Sequence, residues 1–175
     1  MTLRDKLFSF RGRLRRRDWW LLSALIWVAC FLITDLSRWA LFGPDYAMLA
    51  PGRVDWSTAA HDWRIRATNV AWVAISLWPG LALAIKRTHD RGKGARAIIW
   101  LILTTQVFNL IDYLFHPVAF VPRGELVLSI ISTGLGAWVL IILGLPAGER
   151  GANQYGPSPK GDGGPGGVAT AQMFD

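Results

Sequence analysis

Four apolar runs, at about 19–41, 67–85, 97–115 and 126–145, divide the chain, and each can lay about 20 helical residues across a hydrocarbon layer ~30 Å thick. A helix that is apolar on every side needs either a large protein or lipid around it, and 175 residues cannot supply the first. Lipid offers no water to an exposed backbone, so the spans must be helices that satisfy their own amides and carbonyls. The expected fold class is therefore all-α: an integral membrane four-helix bundle. A basic segment, 1–18, precedes a membrane domain, 19–146, and a tail, 147–175, follows it.

Charge sets the orientation. Four spans put both termini on one side of the membrane. The N-terminal segment carries seven basic residues, the central loop five (Lys86, Arg87, Arg91, Lys93, Arg96) and the tail two (Arg150, Lys160), so fourteen of the nineteen lie on one side. The positive-inside rule makes that side cytoplasmic. The net charge of +7 is thus a consequence of topology, and no nucleic-acid partner is needed to explain it.

Indoles and prolines mark the span edges. Trp19 and Trp20 suit the headgroup layer at the start of the first span, and Arg38 and Trp39 the far interface. Pro79, inside Trp78-Pro79-Gly80, removes a helical hydrogen bond and predicts a kink in the second span. Residues 43–66 read as an external loop whose Ser57 or Thr58 caps the next helix. The Gly-, Pro- and Ser-rich tail is expected to be disordered beyond about 159. The N-terminal apolar run exceeds a signal-peptide core and is not closed by a small-x-small site, so the first helix is expected to be retained.

This topology gathers three polar segments on one face: Phe10 to Arg16, Arg87 to Gly92, and Gly151 to Pro157. The order Gly-Arg-x-x-Arg-x-x-aromatic-Trp, then Arg-x-His-Asp-x-Gly, then Gly-x-Asn-x-aromatic-Gly-Pro-x-Pro resembles a bacterial family of small inner-membrane proteins catalogued as domain of unknown function 805. Gly12, Arg13, Arg16, Trp19 and Trp20 match the first motif. Arg87, His89, Asp90 and Gly92 match the second, and Gly151, Asn153, Tyr155, Gly156, Pro157 and Pro159 the third. Lys93-Gly94-Ala95-Arg96 departs from the family pattern, where a small-residue pair and a tryptophan are expected, and the first external loop is longer. The resemblance implies a multi-pass protein of the bacterial inner membrane and no established activity.

The central motif has two readings. In one, Asp90 pairs with Arg87 or with Arg13 and Arg16, His89 bonds a carbonyl, and Gly92 turns the chain at positive φ. In the other, His89 and Asp90 form an acid/base or ligand pair, or the arginines grip a phosphate. Asn153, Tyr155 and Gly156 complete either version of the site, with Gly12 and Arg16. No metal site is expected, since His61 and His116 belong to the opposite face and the lone Cys30 lies in an apolar run. Gly92-Lys93-Gly94 is too short for a phosphate loop, and no cofactor motif is present.

Inside the third span, Gln106, Asn109 and Tyr113 share one face with Asp112 adjoining. Such a polar stripe must turn inward, either to hydrogen-bond the fourth span near Ser129, Ser132 and Thr133 or to line a passage. The sequence therefore leads to a non-enzymatic membrane module that binds anionic lipid headgroups or a partner protein at its cytoplasmic face. The alternative is an oligomeric small-solute or ion channel or transporter built on the stripe. Membrane lipids are the expected partners, with a membrane-protein partner or a homo-oligomer beside them.

Overall fold

A computed structural model describes residues 2–44, 63–114 and 122–159. It contains five helices: α1 (Leu3–Phe8), α2 (Arg16–Phe42), α3 (Trp63–His89), α4 (Arg96–Leu114) and α5 (Pro122–Gly144). No strand occurs among the described residues, and Asn153 and Gly156 form an isolated bridge. Most of the 43–66 loop with its caps, both outer histidines and the tail from 160 onward fall outside the described residues.

A helix occupies each of the four apolar runs. Two stretches, Arg16–Phe42 and Arg66–His89, are long and apolar enough to cross a membrane, while Arg96–Ile111 and Ile130–Gly144 are apolar but shorter. Only 22% and 33% of the two long apolar windows are buried. Leu25, Trp27, Ile33, Trp100, Ile130 and Ile141 all stand exposed.

Three boundaries differ from the sequence reading. Helix α3 runs on through Lys86, Arg87 and His89, which the sequence reading placed in the loop, because cations in a last turn face the negative end of the helix dipole. Pro79 lies inside this helix, where the sequence reading put it. Helix α5 starts at Pro122, whose missing N–H costs nothing in a first turn. The third difference is α1, a short helix within the segment read as merely polar. Its Thr2 hydroxyl accepts from the Asp5 amide at 3.2 Å while the Asp5 carboxylate accepts from the Thr2 amide at 3.1 Å, a reciprocal cap. Those Thr2 hydrogen bonds hold the Asp5 carboxyl below its ordinary range.

Helix α3 is central, packing against α1, α2, α4 and α5, and α5 also returns to α2. The buried apolar core is displaced to one end. Leu14, Trp19, Leu83, Ala84, Ile98 and Leu143 pack together where α2 and α4 begin and α3 and α5 end. The most deeply buried large side chains at that end include two cations, Lys86 and Arg87. Their burial against apolar neighbours has to be offset by partners, and those partners define the site.

Candidate functional site

The last carbonyls of α5 have no helical donors, and Pro146 prevents the chain from supplying more. Side chains from three other segments take their place. Arg91 Nη1 donates to the Ile142 carbonyl at 2.5 Å and Arg87 Nε to Leu143 at 2.8 Å. Trp20 Nε1 donates to Gly144 at 3.2 Å and Arg16 Nη1 to Leu145 at 3.1 Å. Arg87 Nη2 donates to the Pro146 carbonyl. Five consecutive carbonyls thus accept from α2, α3 and the loop after α3, and four of the five bonds come from guanidinium forks attracted to the negative end of the helix.

Asp90 supplies the countercharge. Its Oδ2 accepts from Arg87 Nη1 at 2.5 Å and its Oδ1 from Arg13 Nε at 3.2 Å, with all three side chains buried. Arg13 spends its remaining donors on the chain beyond α5: Nη2 on the Glu149 carbonyl at 2.7 Å, and Nη1 on Gly151 at 2.6 Å and Gly156 at 3.2 Å. The Asp90 carbonyl accepts the Glu149 amide at 2.7 Å. Asp90 thereby joins an N-terminal arginine and a helix-end arginine through its carboxylate and the tail through its carbonyl, in a clasp built from all three polar segments.

The glycines make that closure possible. A Cβ on Gly148 would stand 1.9 Å from Asp90 Oδ2, on a carboxylate that Arg87 and Arg13 hold by its two oxygens. Gly92 has φ +65°, and its Cβ would meet the Glu149 carboxylate at 2.2 Å. Asn153 ties the far side by donating to the His89 carbonyl at 2.9 Å and to Glu149 Oε2 at 3.0 Å, while its own Oδ1 accepts the Tyr155 amide at 3.0 Å. The Tyr155 ring stacks on His89 with centroids 3.8 Å apart.

These contacts reassign several expected roles. His89 and Asp90 are engaged separately: the imidazole lies flat on Tyr155 and the carboxylate accepts from two guanidiniums. Arg16 caps α5 rather than meeting Asp90. Arg13 and Arg87, expected to offer donors to an outside anion, spend them on internal acceptors, and Arg87 is fully buried. Gly12 and Gly156 adopt positive φ, at 94° and 125°, beside Arg13 and the Asn153 bridge.

Family comparison follows the same residues. The profile of the family described as "Protein of unknown function (DUF805)" matches residues 7–157, which includes every segment of the clasp. This chain belongs to the DUF805 family. It is 33% identical over 162 residues, 89% of each chain, to the "Uncharacterized protein YiiR" of Escherichia coli strain K12, and equally to that of Escherichia coli O157:H7. No solved structure matches the chain.

The DUF805 clasp also contains residues that the motifs did not single out. Lys86 Nζ donates to the Lys6 carbonyl at 2.7 Å and to that of Asp5, so α3 caps α1 as its neighbours cap α5. Trp78 Nε1 adds a bond to the Phe8 carbonyl at 3.3 Å. A second buried polar cluster lies at the opposite end of α2, where Arg38 Nε donates to Thr68 at 2.7 Å and Nη2 to Asn69 at 2.5 Å beside buried Thr34 and Asp35. Its signal in the sequence is the set Thr34, Asp35 and Arg38 on one face of an apolar helix.

The polar stripe of α4 is only partly described. Asn109 Nδ2 donates to Gln106 Oε1 at 3.2 Å, and Gln106 lines a cavity of about 230 Å³ with Ser76, Gly80 and Thr105. Asp112 and Tyr113 fall within α4 and Ser129 within α5, and their side chains lie outside the described residues. No group of three His, Cys, Asp or Glu side chains suited to a metal occurs among the described residues.

Proposed function

We propose that this chain is a non-enzymatic, multi-pass protein of the bacterial inner membrane, with four spans and both termini cytoplasmic, whose cytoplasmic face binds anionic lipid headgroups. The observation that carries this reading is a division of labour among the cations at one end of the helices. Arg13, Arg87 and Lys86 are buried and satisfied within the fold, whereas Arg11, Arg17, Lys93, Arg96 and Arg150 are exposed around them. One helical turn from Arg96 the chain exposes Trp100, and Trp138 and Ile141 stand exposed along α5. A soluble protein would hide such a surface, while a bilayer interface calls for both halves.

The test is the thermal midpoint of the detergent-purified protein titrated with phosphatidylglycerol or with phosphatidylcholine of the same chains. Preferential stabilisation by phosphatidylglycerol that fades with salt is the expected outcome. Equal effects of the two lipids at low salt would rule the reading out.

The cavity beside Gln106 favours a second reading, a channel or transporter protomer. Its clasp-side walls are Trp19, Ala84 and Leu143, residues of the buried core, so passage requires that core to open. Gln106→Leu should then abolish flux in reconstituted vesicles with assembly intact.

A further inference from the structure

Two clefts open beside the clasp, and their chemistry differs. The one near the N-terminal segment is lined by Lys6, Arg13, Arg15 and Asp18, but its charges are already matched: Lys6 Nζ pairs with Asp18 at 2.9 Å, Arg13 with Asp90, and Arg15 Nε donates to the Pro159 carbonyl. The other is a groove of about 460 Å³ between the start of α4 and the end of α5. Arg91 and Lys93 stand at its mouth, and Ala97, Leu101, Trp138 and Ile142 form its walls, with no acidic side chain among the lining residues.

From this groove we infer a discrete binding site for one anionic phospholipid, with the phosphate between Arg91 and Lys93 and one acyl chain along the α4–α5 seam. The inference rests on the headgroup-binding reading above and sharpens it from a charged face to a single site. Charge and polarity run in the order such a lipid needs. Lys93 is exposed, and Arg91 is held by its bond to the Ile142 carbonyl at 2.5 Å, which fixes a guanidinium fork with further N–H donors at the entrance. Leu101 lies one helical turn below Ala97, about 6 Å deeper, so the wall turns apolar within the depth of a headgroup. Trp138, 55% exposed, projects its indole at the same seam, where an amphipathic ring suits the boundary between headgroups and chains. Exposed Gly94, beside Lys93 and without a side chain, leaves the mouth open.

The test is native mass spectrometry of the full chain in detergent titrated with palmitoyl-oleoyl phosphatidylglycerol, and with phosphatidylcholine of the same chains. Lys93→Gln removes an exposed charge and Ala97→Trp fills the groove from an exposed position, so neither disturbs the core. Arg4→Gln, at an exposed position of α1 outside the cation ring, is the control. The first phosphatidylglycerol to bind should weaken roughly fivefold in Lys93→Gln, in line with the loss of one cation near a lipid surface. It should be lost in Ala97→Trp and unchanged in Arg4→Gln. Equal binding by wild type and both groove variants would overturn the site while leaving headgroup binding intact. No phosphatidylglycerol retained by wild type would overturn both. Loss of a dimer in Ala97→Trp, with lipid binding unchanged, would give the groove to a second copy of the chain and likewise overturn the inference.

Discussion

Asp90 is the residue on which the clasp turns, because a lone carboxylate with two buried guanidiniums leaves no slack in charge. Asp90→Asn keeps the shape and removes the countercharge, and should cost about 3–5 kcal/mol in unfolding free energy measured in mixed micelles. Arg87→Lys should also destabilise, because one ammonium cannot reach Asp90 and the carbonyls of Leu143 and Pro146 together. Each carbonyl left unsatisfied costs about 1–3 kcal/mol. Arg17→Lys, at an exposed site with a 4.0 Å contact to Asp18, should leave stability unchanged in the same assay. Much of this was legible in the sequence: an Arg-x-His-Asp-x-Gly run with arginines elsewhere on the same face pointed to an ion-paired network around Asp90. What was hidden is the identity of the acceptors. Most donors go to backbone carbonyls, which every residue carries, so no pattern of side chains marks Leu143, Leu145 or Glu149 in advance.

Among the elements, α5 and α1 share a solution to the same problem. Both have end carbonyls reached by side chains from α3, although the Asp5 carbonyl of α1 also accepts the Ser9 amide. Lys86→Met keeps the buried stem and removes the two bonds to α1. Amide exchange across residues 3–8 should then rise about tenfold, equivalent to losing one or two net hydrogen bonds of about 1 kcal/mol each. Glycine substitutions separate close approach from mere flexibility. Gly148→Ala should destabilise by about 1–3 kcal/mol, because Asp90 cannot retreat from the added methyl group, whereas Gly134→Ala, with open space around it, should not destabilise. The four long helices were readable as apolar runs, though among the described residues only α2 and α3 hold a stretch long and apolar enough to cross a membrane. Helix α1 was not, since six residues carry too little periodicity, and its cap uses Asp5 where a longer acid is the commoner signal.

Among the described residues, the unusual feature is that the buried apolar cluster lies at the polar end of the helices, while their flanks stay apolar and exposed. The proposed topology accounts for that inversion: lipid covers the flanks, and the clasp seals the helix ends at the cytoplasmic interface. Single cysteines at Arg11 and Gly151, in a chain with Cys30 replaced by Ala, should both be labelled by membrane-impermeant maleimide only after the cells are opened. Labelling of both in intact cells would reverse the orientation, and labelling of one alone would contradict an even number of spans. The clasp itself makes the stronger demand, that the N-terminal segment and the loop 77 residues away act as one unit. A double-mutant cycle between Arg13→Gln and Asp90→Asn, read by equilibrium unfolding in mixed micelles, tests this most directly. The two losses should fall short of additive by about 2 kcal/mol, because either change alone disrupts the same buried pair. Strictly additive losses would mean that Arg13 and Asp90 act independently and that no clasp holds the three motifs together.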